Sequence, residues 1–233
     1  MAGCRSEKPR SYGPAFAVFC TSSALVAALA VQMTSTFAVF AREAGGLTER
    51  EIGYLFSLNG IIIVLVQLPL TSFASRFRMS HALTVGAILY ALGYFLAGFS
   101  ASLPAFALCI TIATVGECTV SPAATSLVAA LSASKVRGRY MGFLGLSSSV
   151  GSSVGPLAGG LLLVHLESSA MVWSVLSLFG FAAALCAMFL TARLPLAVDS
   201  GGGGSPSGPE RATGAGGFLP LDLSKPGKRF SDP

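Results

Sequence analysis

Long apolar runs alternate with short polar breaks along almost the whole chain. The runs are Pro14–Phe40, Ile52–Phe73, His81–Phe99, Pro104–Leu131, the stretch between Arg139 and Leu166, and Ala170–Ala192. Each is close to or above the roughly 20 residues that a helix needs to cross the hydrocarbon of a bilayer. The breaks carry the charges and the start signals. Thr48-Glu49-Arg50-Glu51 reads as a capping box ahead of the second run. Pro104 stands where a helix accepts proline, in its first turn. The pattern predicts an all-α membrane protein with six transmembrane helices. Residues 1–13 form a polar amino-terminal segment, 14–193 the six-helix domain, and 194–233 a disordered tail rich in Gly and Pro.

Composition supports this division. Of 233 residues, 53% are hydrophobic and 11% charged, whereas a soluble domain carries about 25% charge. The net charge of +5 is spread over short loops and termini and is no footprint for nucleic acid. Counting Lys and Arg puts three at the amino terminus, two after span two, three after span four and five at the carboxyl end. Only Arg42 and Arg50 fall on the other side, beside Glu43, Glu49 and Glu51. Both termini are therefore expected in the cytoplasm, with the chain in the cell membrane. A basic start, an apolar run and Ala28-Leu29-Ala30 also outline a cleavable signal. The run continues well past Ala30, which fits a span better. The five cysteines lack ligand spacing, and no nucleophile triad, Walker loop or dinucleotide fingerprint occurs. No metal, no cofactor and no enzymatic activity are expected. Trp173, near the start of span six, reads as an interfacial anchor.

One carboxylate breaks the fourth run near its midpoint: Glu117. A charge there costs a few kcal/mol or more, so it faces a cavity, pairs, or takes a proton. It is either a proton- or substrate-handling group or a neutral acid that fastens two helices. Gln32, Asn59 and Gln67 are weaker cavity candidates, as are Thr34, Ser35 and Thr36, whose hydroxyls can also bond back to their own helix. Pro122 invites a bend one turn beyond Glu117. The fifth run carries a glycine ladder: Gly142, Gly151, Gly155, Pro156, Gly159 and Gly160. Gly151, Gly155 and Gly159 recur every four residues and share one helix face, open to close approach by a neighbouring backbone.

The ladder, with its Gly-Pro-x-x-Gly-Gly ending, resembles the antiporter motif of drug:proton exchangers in the major facilitator superfamily. Gly116-Glu117, Pro122 and Arg137-Gly138-Arg139-Tyr140-Met141-Gly142 resemble that family's tenth helix, the next cytoplasmic loop and the start of the eleventh. Leu65-Val66-Gln67-Leu68-Pro69-Leu70 resembles the end of the eighth, and Gln32 stands as in the seventh. The loop after span two departs from the family pattern. Arg76 matches its motif, but Thr71 and Arg78 replace the two glycines and Ser75 replaces the aspartate.

The resemblance implies a carboxyl-terminal six-helix half of a proton-coupled exporter of a small solute or drug. Glu117 would handle protons or substrate, helped by Gln32, Asn59 and Gln67. Gly151, Gly155, Pro156, Gly159, Gly160 and Pro122 would serve helix packing and gating. Arg76, Arg137 and Arg139 would face the cytoplasm. Major facilitators place their site between two halves, so the expected partners are a substrate, protons, the bilayer, and a second six-helix half or a second copy. The chain is then a fragment of a longer gene or half a transporter. The alternative is a membrane subunit or residual half that transports nothing and only docks with other membrane proteins.

Overall fold

The computed structural model describes residues 13–74, 77–132 and 136–199. The described residues form helices joined by short loops: α1 (Gly13–Ala30), a 3-10 turn (Val31–Met33), α2 (Thr36–Glu43), α3 (Glu49–Ala74), α4 (Met79–Ala97), α5 (Leu103–Leu131), α6 (Arg137–His165), α7 (Ser169–Arg193) and α8 (Leu196–Asp199). Six spans are long and apolar enough to cross a membrane, with α1 and α2 sharing the first. The protein is an all-α, multi-pass membrane protein. The amino-terminal residues 1–12 and the tail from 200 onward lie outside the described residues.

The capping box forms as the sequence predicts. The Thr48 hydroxyl accepts from the Glu51 amide at 3.3 Å, and the Thr48 amide donates to Glu51 Oε2 at 2.8 Å. α3 therefore starts at Glu49, ahead of the apolar run. Span one differs from the single helix expected over Pro14–Phe40. It breaks at Val31–Ser35, and the cause is local. The Val31 carbonyl accepts from the Thr34 and Ser35 amides, each at 3.2 Å, and from their hydroxyls at 3.1 and 2.8 Å. That carbonyl takes a 3-10 bond from the Thr34 amide beside the helical one from Ser35, so the helix tightens there.

α4 packs between α5 and α7, α1 lies against α6 and α7, and α3 lies against α5. Glycines set the first of these contacts. A Cβ at Gly93 would lie 2.6 Å from the Ala113 nitrogen, and one at Gly116 would lie 2.6 Å from the Gly86 carbonyl oxygen. α4 and α5 thus touch backbone to backbone. The aromatic core at one end joins Phe37, Phe40, Phe106, Tyr94 and Trp173. Trp173 is 0% exposed, which corrects its reading as an interfacial anchor. α2 folds back over it, and its indole stacks on Tyr94 at 5.4 Å. The opposite end is closed by Phe19, Leu83, Leu127, Val128 and Leu190. α3 and α6 are the least covered spans, each 17% buried against 56% for α4.

Candidate functional site

Glu117 sits halfway along α5, one residue after the glycine that brings α4 into contact. The Gly116 contact reaches the Tyr90 nitrogen as well, where a Cβ would come within 2.7 Å. This approach lays the Tyr90 side chain beside Glu117, and the two residues share the walls of the same cavities. Tyr94 follows one turn along α4 on the wall of the first cavity, which Met33, at the break in span one, lines as well. The two tyrosine rings meet edge to face at 5.5 Å. Tyr94 is held in turn by its stacking on Trp173. Glu117, Tyr90 and Tyr94 therefore line the first cavity from the half-buried carboxylate towards the broken segment.

Two cavities meet at this carboxylate. The first, about 150 Å³, lies towards the loop between α4 and α5 and is lined by Thr34, Phe56, Asn59, Tyr94, Thr114 and Glu117, among others. The second, about 270 Å³, lies towards the loop between α5 and α6 and includes Ser23, Ser121, Thr125 and Ser148. Ala30, Tyr90 and Glu117 line both. Since α4 and α5 cross the bilayer, the cavities occupy opposite halves of it, with Glu117 and Tyr90 forming the partition. In the first cavity Asn59 Nδ2 donates to the Thr114 hydroxyl at 2.8 Å, which donates to the Ile110 carbonyl at 2.7 Å. Asn59 is thereby fixed with its amide on the cavity wall.

The other expected residues are placed elsewhere. Gln32 is 0% exposed and lies in the seam between α1 and α6 rather than on either wall. Its Nε2 donates to the Ala28 carbonyl at 3.1 Å and to the Gly155 carbonyl at 2.8 Å. Gln67 is half-buried on α3, away from both walls. The ladder row meets α1 directly. A Cβ at Gly155 would lie 2.5 Å from the Ala28 carbonyl oxygen, one at Gly151 would strike the Ala24 carbonyl, and one at Gly159 would strike the Thr36 hydroxyl. Gly160 meets nothing within 4 Å. Pro156 is half-buried beside the row, and Pro122 stands inside α5. Arg137 and Arg139 are exposed at the start of α6, with Arg139 over the Phe143 ring. Arg76 lies outside the described residues. Among the described residues no group of three or more His, Cys, Asp or Glu is placed to hold a metal ion.

The sequence model of the family described as Major Facilitator Superfamily matches residues 16–225. The chain belongs to the Major Facilitator Superfamily. It is 29% identical over 157 residues to the multidrug resistance protein MdtH of Proteus mirabilis, a match covering 66% of this chain and 39% of that protein. It is 30% identical over 150 residues to the uncharacterized MFS-type transporter YttB of Bacillus subtilis, covering 63% and 37%. The chain thus spans about two fifths of the length of these relatives. Among solved structures it resembles a POT family transporter in complex with a thioalcohol-conjugated peptide, with TM-score 0.68 and 18% identity over 81% of this chain and 44% of that one. It also resembles a bacterial homologue of the human lysosomal transporter Spinster, inward-facing and unoccupied. That match has TM-score 0.64 and 18% identity over 78% and 44%. At these identities the two structures establish the fold alone.

In this major facilitator chain, sequence reading missed Tyr90, Tyr94 and Thr114. An aromatic or threonine inside an apolar run looks like any core residue. The available signal was the pairing of Gly86 and Gly93 on α4 with Gly116 on α5, small residues that mark a close helix contact. That contact selects Tyr90 as the neighbour of Glu117.

Proposed function

We propose that this chain is a six-helix half of a secondary transporter that exports a small solute or drug in exchange for protons, with Glu117 as the group that exchanges the proton or meets a cationic substrate. The single observation that carries this reading is the position of Glu117, on the wall of two cavities that lie in opposite halves of the membrane. An ionisable group inside a membrane is costly and is retained where it does work. A carboxyl reachable from two chambers can load on one side and unload on the other without leaving the protein. The names of the relatives agree with export, and the basic loops agree with both termini in the cytoplasm of a cell membrane.

The half is the carboxyl-terminal one of the family plan, and its site is completed by a second six-helix half or a second copy. α3 and α6 support this. They are the least buried spans, and α6 exposes Ser149, Ser152 and Ser153 among its apolar residues. A serine-bearing face suits a partner helix or a water-lined path better than acyl chains.

The test uses membrane vesicles holding the chain alone or with a candidate amino-terminal half. Efflux of a fluorescent lipophilic drug is followed under an imposed pH gradient. Efflux that needs the gradient, and that collapses with a proton ionophore, is the expected result once the partner half or a stable second copy is present. Gradient-independent leakage, equal in vesicles lacking the chain, would reject the transporter reading.

A further inference from the structure

A buried ion pair lies away from both cavities, where the chain leaves span six. Asp199, the last residue of α8, is 0% exposed. Its Oδ1 accepts from the Ser80 backbone amide at 2.8 Å. Its Oδ2 accepts from Arg78 Nε at 2.6 Å and from the Ser80 hydroxyl. The Arg78 guanidinium uses Nη2 elsewhere, donating to the Thr191 carbonyl at 2.9 Å and to the Leu194 carbonyl at 3.2 Å.

These partners are helix ends. Ser80 is the second residue of α4, and Arg78, the residue ahead of α4, is extended (φ −64°, ψ 136°) with no side-chain cap of its own. Thr191 and Leu194 belong to the last turn and cap of α7. The start of a helix leaves amides unpaired at its positive end, and the finish leaves carbonyls unpaired at its negative end. Asp199 meets the first and Arg78 meets the second. Each helix is closed by a charge of the right sign that comes from the chain of the other. α8 also reaches α5, because Val198 packs on the cluster holding Leu83, Leu127, Leu131 and Leu190.

We infer that Leu194–Asp199 is a strap that locks the ends of α4, α5 and α7 into one rigid body, and that the working six-helix unit ends at Asp199 rather than at Arg193. The two helices whose midpoints hold Tyr90 and Glu117, α4 and α5, are among the three that the strap joins. The loop after span two has Ser75 where the family pattern has a carboxylate. The strap brings a carboxylate to that end of α4 from 119 residues away in the chain.

The test uses the purified full chain in lipid nanodiscs. Asp199→Asn keeps the shape and removes the charge, and Asp199→Ala removes the cap. Each should lower the melting midpoint, Asp199→Ala by about 5–10 °C, because Arg78 is left largely buried without its anion. Hydrogen exchange separates a local strap from general weakening. In Asp199→Asn, exchange should rise at least about tenfold at residues 79–83 and 192–196 and stay at the parent level through the middle of α5. A uniform rise, or none, would overturn the strap. The exchanged pair Arg78→Asp with Asp199→Arg supplies the sharper arm. An ordinary ion pair would be rescued by the exchange. Helix-end capping would not, since each charge would then face the wrong pole. Recovery of the parent midpoint by the exchanged pair would overturn the capping role.

Discussion

Tyr90 and Glu117 stand side by side on the walls of both cavities, where α4 and α5 touch backbone to backbone. Tyr90 is buried with its ring against Tyr94, and Glu117 interrupts an apolar helix. The pair forms the partition between two cavities, so its chemistry and its position belong together.

Removal of one partner should therefore be felt through the other. Tyr90→Phe removes the buried hydroxyl beside Glu117 and is expected to cost about 1 kcal/mol of stability. In a Glu117→Ala background the same change should cost far less, because its partner is already gone. Thermal unfolding of the four proteins in one detergent measures this cycle. Strict additivity would mean that the two side chains do not interact.

The glycine row offers a second comparison. Gly155→Leu forces a branched side chain into the Ala28 backbone, where even a Cβ lies 2.5 Å from the carbonyl oxygen. Overpacking of this kind costs about 1–3 kcal/mol and more where backbone must move. Gly145→Leu, with open space around its Cβ position, should unfold at nearly the parent temperature. Equal destabilisation by both would show that the seam between α1 and α6 is not set by the row.

Topology follows from six spans. Reporter fusions after Phe77 and Lys135 should read as cytoplasmic, and fusions after Ser100 and Glu167 as external. A cytoplasmic signal after Ser100 together with an external one after Phe77 would invert the chain. The same side at Ser100 and Lys135 would remove α5 as a span.

Much of this architecture is legible in the sequence because a bilayer demands long apolar runs and helices that satisfy their own backbones. The five later spans start and stop within a few residues of their apolar limits, and the Thr48–Glu51 capping box fixes where α3 begins. Gly151, Gly155 and Gly159 face one neighbour because a four-residue spacing leaves them no choice. The break in span one was not readable. The Thr34 and Ser35 hydroxyls bond back to the Val31 carbonyl, as they also could within a continuous helix. Gln32 has a further use that sequence alone does not show. A polar residue in an apolar run suggests a cavity, yet its amide is used to bridge α1 to Gly155. Asp199 precedes Ser200 and a run of glycines, so it reads as the root of a tail. Its partners Arg78 and Ser80 are more than a hundred residues away, and only the folded chain brings them together.

Glu117→Gln gives the most direct measurement of the central claim. Glutamine keeps the shape of the protonated acid and its capacity to hydrogen-bond, but it cannot release a proton. In vesicles that contain the chain with its completing half or second copy, pH-driven efflux and substrate-induced proton movement are recorded side by side. The account predicts that Glu117→Gln loses both, while exchange of substrate across the membrane at equal pH persists and the protein unfolds at close to the parent temperature. Proton movement and pH-driven efflux equal to the parent's in Glu117→Gln would contradict it.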